Sequence, residues 1–222
     1  AFRAELCQIY TDVDGVYTTD PRIVPNARKL DEITYDEMLE LASQGAQVLH
    51  NRSVELAKKF RVNLEVVSSL ERKPGTKVKE VTKVEKTNIA GVAKDVSIAR
   101  IALVGLQHNP GVAFQVFDLL SKHNINVDVI LQSIGREDTK DITFTVHKKD
   151  LEEAENVLND HKEVLKFDHI EPDEAIGKVS IVGAGLMSNC GVAAKMFEAL
   201  YEAGINIQMI NTSEIRVSVL LN

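Results

Sequence analysis

Gly105-Leu-Gln-His-Asn-Pro-Gly-Val-Ala-Phe114 opens a stretch that runs on through Leu119-Leu-Ser-Lys-His-Asn-Ile-Asn-Val-Asp128, and its reading decides the fold because the chain contains it twice. From Gly183 the chain reads Gly-Ala-Gly-Leu-Met-Ser-Asn-Cys-Gly-Val-Ala-Ala194, then Ala199-Leu-Tyr-Glu-Ala-Gly-Ile-Asn-Ile-Gln208. Asn109 answers to Asn189, Gly111 to Gly191, Phe117 to Phe197 and Asn126 to Asn206, always at the same separation. A repeat of this length, with an apolar strand on either side, is one supersecondary unit used twice. It is too long for a solenoid repeat, so it predicts two small domains.

Working outward, Ile101–Val104 predicts a strand ending at Gly105. Asn109 as N-cap and Pro110 at the first helical position then predict a helix that buries Ala113, Val116, Phe117 and Leu120. Ile125 to Leu131 and Ile142 to Val146 read as strands, the second alternating with Thr143 and Thr145. Asp150 precedes a helical stripe of Leu151, Ala154, Val157 and Leu158, and Val164 to Ile170 reads as a returning strand. The order βαββαβ is ferredoxin-like, an α+β arrangement. The second copy gives a strand at Val179–Val182, a helix from Gly191 to Tyr201, strands at Ile205 to Ile210 and Ile215 to Leu221, and no second helix. Either residues are missing from this copy or the strand around Ile89 to Ala93 completes its sheet, and both are expected.

The 222 residues are 44% hydrophobic and 27% charged, with no apolar run near the ~20 residues of a membrane span. A net charge of -7 argues against nucleic acid as the main partner. The basic residues Arg72, Lys73, Lys77 and Lys79 read as a solvated linker. Cys7 and Cys190 form neither a disulfide framework nor a metal site, and a reducing cytoplasm suits them. Cys190 has no base or second cysteine near it in sequence and reads as packing. No metal ligand set is expected. The chain opens on Ala1 in what reads as the approach to a strand, and a fragment of a longer protein is the expectation.

Ahead of the repeats, Leu6–Tyr10 predicts a short buried strand and Thr11-Asp-Val-Asp-Gly-Val-Tyr17 a glycine-containing turn after it. A loop at the C-terminal end of a strand is where α/β sheets bind ligands. Pro21 and Pro25 keep the following connection irregular. Thr34-Tyr-Asp-Glu37 is a capping box, followed by Met38, Leu41 and Ala42 on one helical face and an end at Gln44-Gly45. Ser53 to Phe60 predicts a second helix and Leu64 to Ser68 a strand, which together make an α/β order. The Asp12, Asp14, Gly15 cluster fits an Asx turn as well as a ligand loop; it lacks the third oxygen ligand and later Glu of an EF-hand calcium loop. The chain divides, on this reading, into 1–76, 77–172 and 173–222, with residues 88–94 available to the last part.

The run from Ile9 through Thr11-Asp-Val-Asp-Gly-Val-Tyr-Thr-Thr-Asp-Pro-Arg-Ile-Val-Pro25, with Ala27-Arg-Lys-Leu30 after it, closely resembles the nucleotide-binding half of aspartate kinases. That resemblance implies an amino-acid-kinase-like α/β fragment that binds ATP, with Mg, through Thr11, Asp12, Tyr17, Arg22 and the Gln47-Val48 connection. The residue types suit a nucleotide, with a carboxylate for ribose or adenine donors, an aromatic ring along a base and a forked guanidinium for phosphate. Gln47 stands where many relatives have Lys, and Asn51 where they have Pro. The Lys-Phe-Gly-Gly-Thr-Ser and Gly-Arg-Gly-Gly-Ser-Asp segments of that family do not occur in the chain.

The repeats resemble the paired ACT domains of the same family, most closely over Asn211-Thr-Ser-Glu-Ile-Arg-Val-Ser-Val219. A helix starting at Asn109-Pro110-Gly111 needs no ligand to explain it, yet free amides at such a start also receive an amino-acid carboxylate. The resemblance implies the second use, with effector contacts at His108, Asn109, Pro110, Gly111, Val112, Ala113, Asn126, Asp128 and Gln132 in the first copy. In the second it implies Val192, Ala193, Asn206, Ile207, Thr212, Ser213 and Glu214. The expected function is phosphorylation of the aspartate side-chain carboxylate by ATP, with feedback by lysine or threonine at ACT domains of a homo-oligomer. The chain alone would be inactive. A non-catalytic amino-acid-sensing subunit is the alternative, though it has no use for an ATP loop.

Overall fold

The computed structural model describes residues 4–81, 89–107, 109–134, 139–186, 189 and 191–222. The chain separates into two compact units, Ala1–Asp95 with Lys178–Leu221, and Val96–Gly177. In the first unit, β1 (Leu6–Thr11) runs parallel to β3 (Asn63–Ser68). Two shorter strands, β2 (Glu32–Thr34) and β4 (Thr76–Lys79), complete a sheet of order β1-β3-β4-β2. Neither short strand is legible in the sequence. Three residues show no periodicity, and β4 follows a Pro-Gly turn with Lys77 exposed while Val78 is buried.

Two helices connect β2 to β3. For α1 (Tyr35–Ser43) the expected capping box forms: Thr34 Oγ1 accepts from the Glu37 amide at 3.2 Å, and Glu37 Oε2 accepts from the Thr34 amide at 3.2 Å. Met38 and Leu41 are buried and Ala42 packs beside them. α2 (Asn51–Phe60) starts two residues before the expected position because His50 Nδ1 accepts from the Arg52 amide at 3.2 Å. One expectation is corrected: β1 is a strand but not a buried one, with Tyr10 64% exposed. Among the described residues it lies at the sheet's edge and pairs with β3 alone, which leaves much of its side-chain surface exposed. β5 (Gly91–Asp95) follows, and its partner comes from much later in the chain.

The second unit is the first repeat. β6 (Ile98–Gln107), α3 (Val112–Lys122), β7 (Val127–Ile134), β8 (Thr139–His147), α4 (Leu151–Asp160), α5 (Lys162–Leu165) and β9 (His169–Asp173) form an antiparallel sheet of order β7-β8-β6-β9 under its helices. The predicted stripe of α4 is entirely buried: Leu151, Ala154, Val157 and Leu158. On α3, Val116 and Leu120 are fully buried, and Phe117 meets Phe144 edge-on at 5.6 Å.

Two expectations for this repeat are corrected. α3 begins at Val112 with Gly111 as N-cap, because Gly111 takes a left-handed φ of 93° that only glycine adopts cheaply; the Asn109 side chain turns to Gln107 instead of capping. The returning strand begins at His169, not Val164. Residues 162–165 make a helical turn ended by Lys166 at φ 54°, which sends Leu165 and Phe167 into the core.

In the second repeat β10 (Gly177–Val182), α6 (Val192–Glu202), β11 (Ile207–Thr212) and β12 (Arg216–Leu221) follow in order. Its sheet runs β11-β12-β10-β5, with Val182 opposite Gly91 and Lys178 opposite Asp95. The strand before the first repeat thus takes the place that β9 holds in the other sheet. Ala93 and Val182 lie in the same core cluster as Val16, Met38 and Leu41, so this sheet packs on the nucleotide-side elements.

Candidate functional site

The loop after β1 is built by a few side chains buried beneath it. Thr76, fully buried, accepts from the Val16 amide at 2.8 Å and donates to the Leu30 carbonyl at 2.6 Å through one hydroxyl. Leu30 N bonds Val16 O and Thr18 N bonds Arg28 O, both at 2.8 Å, which makes a short antiparallel stalk around the Tyr17–Lys29 bridge. The irregular 19–27 connection rises from this stalk. Within it the Asp20 carbonyl accepts from the Ile23 and Val24 amides, and no regular strand is needed. A side chain at Gly15 would meet Thr76 Oγ1 at 2.5 Å, which explains the glycine.

The expected nucleotide residues fall into four groups. Thr11 and Asp12 stand together at the C-terminal ends of the parallel pair β1 and β3, joined by a 3.0 Å hydroxyl-to-carboxylate bond, and Asp12 is exposed. Tyr17 donates to Asp14 at 2.9 Å, and Lys29 Nζ approaches the other Asp14 oxygen at 3.3 Å. Burial pushes the Asp14 carboxyl up, but the bonds from Tyr17 and Lys29 with the Lys29 charge outweigh it and hold Asp14 below its ordinary value. The same bond to Asp14, followed by desolvation, raises Tyr17. Arg22 is 86% exposed and tied to Asp20 through Nε and Nη2, which raises it, with a smaller contribution from the Asp12 charge. Gln47 and Val48 lie in the turn between α1 and α2, Gln47 exposed.

This donor set fits a nucleotide in kind. An exposed carboxylate and an exposed, permanently charged guanidinium share one rim at the strand ends, where a ribose and phosphates find complementary partners. Among the described residues no group of three His, Cys, Asp or Glu side chains is arranged to hold a metal ion.

The helix starts of the two repeats match closely. Gly111 and Gly191 take φ 93° and 92°, and among the described residues neither helix has a side-chain cap and a Cβ at either glycine would meet nothing within 4 Å. The first-turn amides are thus left to a ligand or to water, and the surface above them is open. Val112 and Ala113 are half-buried, as is Ala193, and Val192 is buried. A recess of about 210 Å³ beside Gln107, Asn109, Pro110 and Val112 adjoins the first start.

The remaining expected effector residues lie on or beside the strand after each helix. Asn126, Asp128, Gln132, Asn206 and Thr212–Glu214 are exposed, and Ile207 is half-buried. His108 and Cys190 lie outside the described residues, as do residues 82–88 of the charged stretch and the approach to β5. The sequence reading missed a shared irregularity: the register shifts between Val127 and Ile130 and again between Ile207 and Met209, next to the expected effector residues in both copies. Such bulges re-aim side chains beside sites. The signal that locates them is only the doubled Ile-Asn-Val/Ile pattern, which has no bulge signature of its own.

The family model of the amino acid kinase family matches residues 1–68, and that of the ACT domain matches residues 101–161 and 179–222. An aspartate kinase of Pseudomonas putida is 49% identical over the whole of this chain, which spans 54% of that relative. The regulatory subunit of aspartate kinase from Thermus thermophilus is 39% identical over 61% of this chain and is 89% covered, at a TM-score of 0.57. The chain belongs to the aspartate kinase family. It spans about half the length of the curated relatives it matches. Two solved structures of E. coli aspartokinase III extend the likeness, one in complex with aspartate and ADP and one with lysine and aspartate. They match 98% of this aspartate kinase chain at TM-scores of 0.83 and 0.77, with 28% and 30% identity, and 49% and 48% of their own chains are covered. No helix among the described residues is long and apolar enough to cross a membrane.

Proposed function

We propose that the chain carries the nucleotide-binding side of an aspartate kinase together with its paired effector domains. The whole enzyme transfers the terminal phosphoryl group of MgATP to the aspartate side-chain carboxylate, in the cytoplasm and as a homo-oligomer. The observation that carries this reading is one chain holding both parts: the ordered loop from Thr11 to Leu30 at the C-terminal ends of parallel strands, and two uncapped glycine helix starts in repeated domains. Thr11, Asp12, Tyr17, Arg22 and the Gln47-Val48 turn face the nucleotide, with magnesium arriving on its phosphates. Tyr17 and Asp14 keep the loop in shape, and Arg22 offers charge to phosphate. The chain's three parts act as binding loop, first sensor and second sensor.

The sensors take lysine or threonine. The carboxylate of the amino acid sits on the amides of the helix starts, from Asn109 to Ala113 and at Val192 and Ala193. Its ammonium is received near Asn126, Asp128 and Gln132, or near Asn206, Ile207 and Thr212–Glu214. The E. coli aspartokinase III structure containing lysine supports an amino-acid ligand of this class. The likeness to the Thermus thermophilus regulatory subunit favours a second reading, a non-catalytic sensing subunit. The match of residues 1–68 to the amino acid kinase family weighs against it, because a sensor alone needs no nucleotide loop. Calorimetry on the chain with ADP, lysine and threonine tests the proposal. ADP and one amino acid bind, Asp128→Ala weakens the amino acid about tenfold or more, and the chain makes no aspartyl phosphate by itself. Failure of ADP to bind sinks the nucleotide reading, and undiminished amino-acid binding by Asp128→Ala sinks the sensor assignment.

A further inference from the structure

The first unit contains a polar path that the expected site does not use, and it joins the second repeat to the helix leading into the Gln47-Val48 turn. Arg216, the first residue of β12, donates from Nη1 to Glu40 Oε1 on α1 at 2.8 Å and from Nη2 to Asn211 Oδ1 at 2.6 Å. Glu40 Oε1 also accepts from Gln44 Nε2 at 3.3 Å. Gln44 Oε1 in turn accepts from Ser180 Oγ at 3.2 Å, and Ser180 lies 2.7 Å from Ser218 Oγ. Gln44, Ser180 and Ser218 are all buried, while the Arg216 and Glu40 side chains are 16% and 23% exposed. A partly buried pair of this kind is screened less by salt than an exposed one, and breaking it on one side leaves a charge unpaired.

Both ends of this path touch residues assigned to ligands. The Arg216 carbonyl accepts from the Ser213 amide at 2.8 Å, closing the Thr212–Glu214 turn on which the proposed effector site of the second repeat rests. One turn along the helix, Glu37 accepts from the Ala184 amide at 3.0 Å, in the loop that leads to α6, while its other oxygen completes the cap of α1. On the nucleotide side, α1 ends at Gln44 and passes directly into Gln47-Val48. The Thr18 carbonyl accepts from the Val92 amide at 2.7 Å, which ties β5 to the stalk that carries Tyr17 and Arg22.

One member of the path is left incomplete. Arg216 Nε is buried without a hydrogen-bond partner among the described residues. An unsatisfied buried donor costs roughly 1–3 kcal/mol, which an arrangement that satisfied it would recover. A guanidinium held by an effector turn, an α1 carboxylate and nothing at its third position is a suitable two-arrangement element.

We infer that Arg216 and Glu40 are the positioning pair by which effector occupancy at Thr212–Glu214 shifts α1 and, through it, the nucleotide-binding turn. The inference rests on the nucleotide and sensor reading above. Closure of the 212–214 turn on an amino acid moves the Asn211-Arg216 fork, changes its hold on Glu40, and alters the position from which Gln47 and Val48 meet the nucleotide. Neither residue of the pair is among those assigned to nucleotide or effector, so the pair is tested through the linkage between the two ligands.

The test is the linkage between two ligands measured on the full chain. By calorimetry, saturating lysine or threonine changes the dissociation constant of ADP by a factor of about 5–150, and ADP changes that of the amino acid by the same factor. Glu40→Gln and Arg216→Gln each keep binding both ligands separately, but the factor falls to about one. The charge-exchanged chain carrying Glu40→Arg with Arg216→Glu regains a factor above one, a result that general loosening of the fold does not give. An undiminished factor in Glu40→Gln overturns the inference, as does a factor of one in the charge-exchanged chain that still binds both ligands. An unaltered chain that binds both ligands without mutual effect leaves the functional reading standing and removes the coupling. One that binds neither removes the functional reading itself.

Discussion

Phe144, Leu120 and Leu158 are fully buried in the first repeat, inside a cluster drawn from every major element of that repeat, whereas in the second repeat Ile181, Val192 and Val217 form one small cluster, Val182 lies in the cluster of Met38 and Leu41, and Val219 and Leu220 are also fully buried. The difference follows from layer count. Among the described residues the first repeat contributes α3 and α4 and the second contributes α6, where an apolar groove of about 420 Å³ lies beside Val92, Ile181 and Met196. The second sheet finds its remaining burial elsewhere, through Ala93 and Val182 packing among Val16, Met38 and Leu41. Two nearly equal stretches of sequence thus yield one domain that closes its own core and one whose core is shared with the nucleotide side.

The largest test of this contrast pairs two core truncations. Phe144→Ala, which also removes the edge contact with Phe117, is expected to cost about 3–5 kcal/mol. It lowers amide exchange protection across β6, β7 and β8 while β10 and β12 keep theirs. Met38→Ala, expected to cost about 2–5 kcal/mol, lowers protection in β3 and β10 together. Loss of protection in β3 alone would mean that the second repeat does not share the core after all.

A smaller effect checks what the repeats hold in common. Gly111→Ala and Gly191→Ala each impose a side chain on a left-handed residue in open space, so strain without a clash is expected, about 1–2 kcal/mol in either copy. Denaturant melts of the two variants measure it. Unequal losses well outside that range would show that the two helix starts are not equivalent.

The smallest effect concerns acid. Asp14 is held below its ordinary value, so its ionised form stabilises the folded loop above about pH 4, and that contribution is lost as pH falls from there through the folded value. Tyr17→Phe removes one of the bonds that depress it and is expected to cost from a few tenths to about 1 kcal/mol at neutral pH. A carboxyl titration followed by NMR should place Asp14 nearer its ordinary value in the variant. Because Val92 bonds the Thr18 carbonyl, acid loosening of the loop should lower exchange protection at the Val92 amide and not in β6. Equal loss at both would contradict the sharing described above.

Local rules, carried by residues close in sequence, made much of this legible. The capping box at Thr34–Glu37 and the α4 stripe both came through. Where a purely local reading failed, a distant partner had intervened. Leu6–Tyr10 is apolar enough to predict burial, yet as an edge strand it stays largely exposed. Gly111 and not Asn109 starts α3, because the chain enters the helix through a left-handed turn that composition does not announce.

By itself the sequence determined the repeat, the order of elements, the family likeness and the residue types available to nucleotide and amino acid, because each depends on periodicity and on neighbours a few positions apart. Tertiary structure alone decided which repeat closes its own core and which leans on the nucleotide side. It alone brought Arg216 to Glu40 and Thr76 under Val16, residues 176 and 60 positions apart. Such pairs lie far apart in sequence, and what selects them is the burial of apolar faces against one another, which no local pattern specifies.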